Sequence, residues 1–378
     1  VNEDTILQFS TANGNRITIS DVDHQENNPT GVVRTTLAVS RGVLTLNTTT
    51  GLTAVSGDGT SNVVIEGSTS NLNTAMNGLR YQGSEDLNGA DLLVVTLNDL
   101  GNTGAGGGVN VANNVTINVA QVNDAPTITV PGAQAAEENT NFPFSSTDSN
   151  PIVVADVDAN EAPGDVIVTL SVNNGTLSMS DTGALTSITG NMTASVSITG
   201  TIAATNAALE SLLYRGTLDF NGNDTLTITA NDQGNTGSGP TGTDTETISI
   251  AVGAVNNAPV LSVPGPQTIN ENAATPITGI SVSDVDAGSA NLIITLSVGT
   301  GTLSVNSIVT GGVDVLDIGN NNTSAITLTG TLSELNATLP TLTFQTATNN
   351  ATSQTLTISV TDQGNTGDGG PLTDLETV

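Results

Sequence analysis

Carboxylates recur in this sequence at matched positions, three times over. A glutamate stands near the start of each unit (Glu3, Glu138 and Glu271), always beside Asn or Asp. An Asp-Val-Asp follows: Asp21-Val22-Asp23, Asp156-Val157-Asp158 and Asp284-Val285-Asp286. A further aspartate opens a glycine loop, as in Asp99-Leu100-Gly101, Asp232-Gln233-Gly234 and Asp362-Gln363-Gly364. An acid or amide (Asp86, Asp219 or Asn349) precedes that aspartate by 13 residues in every copy. Two short links, Val122-Asn123-Asp124-Ala125-Pro126 and Val255-Asn256-Asn257-Ala258-Pro259, separate the copies. Side chains of this kind supply hard oxygen ligands, and hard oxygens gathered at a link suit calcium. One set predicted to converge is Glu3, Asp86, Asn123 and Asp124 with Asp156, Asp158 and Asp232. A second is Glu138, Asp219, Asn256 and Asn257 with Asp284, Asp286 and Asp362. Asp21, Asp23 and Asp99 form a receiving half-set in unit one, and Glu271 a donating one in unit three. Asp and Asn also end strands and shape turns, but turn chemistry does not require four acidic motifs to recur together at matching spacing.

Strands must position these groups. Each link follows an alternating run, such as Ile248-Ser249-Ile250-Ala251-Val252, and precedes another, such as Val260-Leu261-Ser262-Val263, so it joins two strands. Proline donates no backbone hydrogen bond and pushes its predecessor towards an extended conformation, which ends one ladder before the next begins. The glycine loop likewise follows an alternating run, as in Leu226-Thr227-Ile228-Thr229-Ala230. In mid-unit, Leu72, Met76 and Leu79 have helical spacing, as do Leu209 and Leu212, and Leu335, Leu339 and Leu342. One or two turns of helix are expected there, packed on the core. An aromatic residue (Tyr81, Tyr214 or Phe344) precedes each loop aspartate by 18 residues.

The predicted architecture is all-β: three tandem Ig-like β-sandwiches over 1–124, 125–257 and 258–378, each with a short helical insertion. Unit one has no counterpart of the strand at Thr127 to Val130, and unit three stops before a counterpart of Ile248 to Val252. An open sheet edge invites pairing. The units are therefore expected to continue head to tail, in one long array or between subunits.

Thirty-six acids against five arginines give a net charge of −31, which argues against nucleic acid and anionic membranes as partners and in favour of bound cations. With no cysteine, neither disulfides nor zinc-thiolate sites are available. No apolar run is long enough to span a membrane. The chain is not expected to be an enzyme, since it holds no Lys or Cys, its single histidine, His24, occurs in one unit of three, and no Trp lines a sugar cleft. Asp156-Val157-Asp158-Ala159-Asn160 opens like an EF-hand loop, but Glu161 replaces the glycine at the sixth position and Ile167 the glutamate at the twelfth. Gly104 to Gly108 opens no helix and so cradles no phosphate.

These motifs resemble the cadherin-like repeats of large bacterial surface adhesins. Glu-Asn resembles the Pro-Glu-Asn of that family, and Asp-Val-Asp its Asp-Ala-Asp. Asp-Gln-Gly is similar to its Ala-x-Asp-x-Gly, and Asn-Asp-Ala-Pro to its Asp-x-Asn-Asp-Asn-Ala-Pro. The region of the helix and tyrosine is also similar to chondroitin-sulfate-proteoglycan-type repeats. The resemblance implies up to three calcium ions between successive domains, stiffening an extracellular rod or filament at the cell surface. It implies as partners neighbouring repeats or identical subunits, head to tail. An alternative is an array of carbohydrate-binding modules recognising cell-surface or matrix polysaccharide. The link here is poorer in acid than the family's, and the second carries only amides, Asn256 and Asn257, so fewer or weaker ions are expected there.

Overall fold

A computed structural model describes residues 1–22, 31–101, 106–160, 164–234, 237–364 and 366–378. Asp23, His24 and Glu161 lie outside the described residues, as do loop positions Asn102, Thr103, Gly104, Asn235, Thr236 and Asn365. The fold is all-β, with three sandwiches in tandem and, among the described residues, one short α-helix in each.

Unit two shows the plan. One sheet runs Gln134–Glu137, Thr243–Gly253, Gly222–Asn231, Val166–Ser171, Ser195–Gly200, Ser187–Thr189 in spatial order. Facing it are Phe142–Phe144, Leu212–Gly216 and Gly175–Ser178, while Thr127–Thr129 pairs with Val153–Ala155. Alternation along the strands sends Val166, Val168, Leu170, Ile228 and Ile250 into the space between sheets, where each is buried. Each unit gathers its own core in this way: around Leu37 and Tyr81, around Leu170 and Tyr214, and around Leu296 and Phe344.

The helices α1 (Thr69–Met76), α2 (Ile202–Leu209) and α3 (Leu332–Thr338) start on Ser68, Thr201 and Thr331, whose hydroxyls accept from backbone N–H groups in the first turn. They are shorter than the leucine spacing predicts. Leu79 and Leu212 fall in the next strand, after a chain reversal that in unit one uses Gly78 at φ +108°.

The outer strands differ between units. Gln134–Glu137 pairs in parallel with Ile250 to Gly253. In unit three the expected loss of the last strand is only partial: Thr373–Thr377 forms and pairs with Leu356–Thr361. The segment Gln267 to Asn270, equivalent to Gln134–Glu137, is not a strand there. It borders a cleft of about 510 Å³ lined by Ile269, Phe344, Leu356 and Val378.

Candidate metal centre at the joints

Two devices fix the acidic motifs. The first lies on the helix. The side chain of Asn206 in α2 accepts from the N–H of Val154 (2.9 Å) and donates to its carbonyl (2.8 Å). Asn73 does the same to Ile19, and Asn336 to Val282. Each amide thus acts as a surrogate strand and holds the residue two before the first aspartate of Asp-Val-Asp. The helix, expected only to pack on the core, also sets the path into the motif.

The second device is the glycine loop. Asp232 Oδ1 accepts from the N–H groups of Gly234 (2.7 Å) and Gly242 (2.9 Å), which folds the loop around the carboxylate. Asp362 does this with Gly364 and Leu372, and Asp99 with Gly101 and Val109. In unit two the loop then runs alongside the link. Ser238 N–H donates to Gln121 O (3.0 Å) and Asn123 N–H to Ser238 O (3.2 Å). Asp368 and Asn256 repeat the second of these contacts at the other link. The approach needs glycine, because a Cβ on Gly237 (φ +72°) would lie 2.5 Å from the carbonyl carbon of Val122.

At joint one, between units one and two, carboxylate oxygens of Glu3, Asp124 and Asp158 lie within 4.8 Å of one another, as do those of Asp4, Asp86 and Asp124. Asp158 accepts from the backbone N–H of Asp124 (2.6 Å), and Asp232 from the side-chain amide of Asn123 (2.7 Å). Asp156 folds back on the N–H groups of Asp158 and Ala159. Glu3 is 4% exposed, with one oxygen bonded to Val122 N–H. Among the described residues, three buried oxygens here have no partner: Glu3 Oε2, Asn123 Oδ1 and Asp124 Oδ2. Burial, followed by the charges of Asp158 and Asp86, raises the pKa of Asp124. Glu3 and Asp156 are also raised, chiefly by burial. Like charges have been gathered out of water with no cationic side chain among the described residues to balance them.

Joint two, between units two and three, has the same outline with different chemistry. Glu138 accepts from Val255 N–H (2.9 Å) and from the side chains of Asn257 and Asn221. Asp286 accepts from Asn257 N–H, and Asp362 from the Asn256 amide (2.7 Å). Among the described residues, the partnerless buried oxygens here are Asn256 Oδ1, Asp284 Oδ2 and Asp286 Oδ1. Burial and the neighbouring Asp286 push Asp284 up to about 6.

All the residues anticipated for the two joints, Asp219 included, are therefore placed at or beside a link. Asp21, Asp99 and Glu271 are not brought into either joint, and Glu271 is exposed. The sequence pattern misses Asp4, because its counterparts, Asn139 and Asn272, carry no charge. A pairing does connect those positions in all three units, since Asp4, Asn139 and Asn272 each accept from the backbone N–H of Asp86, Asp219 or Asn349.

The donor set fits a hard divalent cation. Among the described residues it consists of carboxylate and amide oxygens, some of them buried and partnerless, the hard donors that such a cation takes. An aromatic platform for sugar has no counterpart in the fold: Phe9, Tyr81, Phe144, Tyr214 and Phe344 are buried, and Phe142 and Phe220 pack against the unit-two core.

No protein-family model matches the chain, and no curated protein matches it. Among solved structures it is similar to human CDH23 EC21-23, with 13% identity and a TM-score of 0.39 over 96% of this chain and 92% of that one. It is also similar to mouse cadherin-23 EC22-24 (15% identity, TM-score 0.28, 91% and 84% covered). A third is mouse clustered PcdhgC3 EC1-3 (14% identity, TM-score 0.31, 99% and 97% covered). At these values the likeness bears no functional weight. The sandwiches are defined by the chain's own sheets, and the joints by its own residues.

Proposed function

We propose that this chain is a segment of an extracellular rod whose sandwich units are locked end to end by calcium at acidic joints. The observation that carries the reading is joint one, where Glu3, Asp124 and Asp158 from two units meet with buried oxygens left unsatisfied. Two such charges about 5 Å apart repel by roughly 3 kcal/mol at an effective dielectric near 20. Calcium, which takes about six to eight oxygen ligands with flexible geometry, turns that repulsion into a bond between units. The role is mechanical rather than catalytic.

Continuation head to tail, with neighbouring repeats or identical subunits on a bacterial surface, belongs to the same proposal. Its support is the pattern of half-sets: Asp21 and Asp99 occupy the positions of Asp156 and Asp232, and Glu271 that of Glu138. The test is chelation. X-ray scattering and melting curves with and without calcium should show a stiff, more stable chain turning flexible. Profiles that do not change on chelation would remove the proposal. An ion bound only by the folded form stabilises it by about 3 kcal/mol at a hundredfold excess over its Kd.

A further inference from the structure

We infer that Met192 is an oxidation site of this chain, whose thioether takes an oxygen atom from a peroxide and becomes the sulfoxide while the two other methionines stay reduced. The change turns an apolar side chain at a loop tip of unit two into a polar one and leaves the fold as it was. It does not depend on calcium.

The chain has three methionines, and the fold places them unequally. Met76 ends α1, fully buried in the unit-one core, and Met179 is 5% exposed in the core of unit two. Met192 is 74% exposed. Oxidation requires a sulfur lone pair that solvent can reach. With hydrogen peroxide, that lone pair attacks one peroxide oxygen, the O–O bond breaks and an S–O bond forms. The departing hydroxide takes the proton of the transferred oxygen and leaves as water, so sulfur gives up two electrons and the peroxide receives them.

Met192 lies in a turn that all three units share. Leu44, Leu177 and Leu303 donate their N–H groups to the carbonyls of Thr60, Thr193 and Thr323, at 2.9, 2.8 and 2.7 Å. The hydroxyls of those threonines donate in turn to the carbonyls of Gly57, Gly190 and Asn320. The residue before the threonine is Gly59 (φ +80°) in unit one, Met192 (φ +68°) in unit two and Asn322 (φ +66°) in unit three. Glycine and asparagine suit this left-handed backbone, whereas a methionine there costs about 1–2 kcal/mol. Since glycine and asparagine serve in the other units, the turn does not need the side chain at 192. It is held instead by its backbone, by Thr193 and by Asn191, whose amide accepts from Met179 N–H and donates to Met179 O, both at 3.0 Å. The exposed side chain returns little packing for the strain, so its sulfoxide has little packing to lose.

The experiment is a titration of the whole chain with hydrogen peroxide, native and unfolded in guanidinium chloride, read by intact mass and peptide mapping. The native chain should take up one oxygen atom, at Met192, and the unfolded chain one at each methionine. Met76 and Met179 should react in the native chain only as fast as their units open. Met192→Asn, which installs the residue of unit three, should take up none while folded, and its melting curve checks that it folds. The singly oxidised chain should melt with the reduced one. Uptake first at Met76 or Met179, a Met192 that reacts no faster than they do, or a melting temperature lowered by oxidation of Met192 alone would overturn the inference.

Discussion

The side-chain amide of Asn206 pairs with both backbone groups of Val154, at 2.9 and 2.8 Å, two residues before Asp156. A helix with no apparent role beyond filling the core thereby governs where a candidate ligand stands. Replacing Asn206 with Leu leaves the N–H and carbonyl of Val154 without partners and should cost about 2–3 kcal/mol of unit-two stability. Calcium affinity at joint one should fall with it and that of joint two should not. Denaturant unfolding and ion titration of the single variant measure both effects, and unchanged affinity at joint one would show that the Asp-Val-Asp motif is positioned without the helix.

Gly237 contacts the link so closely that no side chain fits. Gly237→Ala places a Cβ 2.5 Å from the Val122 carbonyl carbon at φ +72°, a backbone conformation that costs an L-residue about 1–2 kcal/mol before the clash is counted. The unit cores lie elsewhere, so unit two should melt only a few degrees lower, by about that strain, and unit one should be unchanged. The joint should open, visible as a broader distance distribution between spin labels on units one and two. Gly367→Ala should act alike at joint two, where the Cβ would meet Asn256 N at 2.6 Å.

Tyr81 and Tyr214 donate to Asp91 and Asp224, at 2.9 and 3.0 Å, inside the sandwiches. Unit three replaces the pair with Phe344 and Gln354, whose Oε1 accepts from Thr300 instead. Burial raises the pKa of Asp91, but hydrogen bonds from Ser40, Leu92 and Tyr81 outweigh it and hold the carboxyl below its usual range. A folded-state pKa below the unfolded value contributes stability above the unfolded pKa, and that stability is lost as pH falls through the folded one. Unit one should therefore weaken in acid over that interval. Asp91→Asn should cost about 2 kcal/mol near neutrality and flatten the acid slope. Stability measured against pH for both proteins checks the sign, and parallel curves would contradict it.

Asp158 and Asp286 occupy equivalent places in joints of unequal charge. Asp158 faces Glu3 and Asp124, whereas Asp286 faces Asn257, so more of the binding energy of joint one passes through its aspartate. Asp158→Ala should lower calcium affinity at joint one by about tenfold to a hundredfold, and Asp286→Ala should lower that of joint two by less. Equal or reversed losses in paired titrations would refute the ranking.

Period-two alternation, three matched glycine loops and two proline links are local properties, and they were enough to determine an all-β chain of repeated sandwiches with a short helix in each. The residue types and their spacing likewise marked out the acids and amides beside the links. Proximity could not be read in the same way, because it depends on which strands lie together. Asp4 escaped because its counterparts are amides, and only the fold sets it beside Asp86 and Asp124. Asn206 looks like any polar residue on a short helix until Val154 passes within hydrogen-bonding distance. Asp91 and Asp224 sit ten residues after their tyrosines, in strands where a carboxylate ordinarily faces water. Only the closed sandwich turns each one inward to its hydroxyl. Sequence determines which groups are available, whereas tertiary structure decides which of them face one another without a donor: Glu3, Asn123 and Asp124 at joint one, and Asn256, Asp284 and Asp286 at joint two.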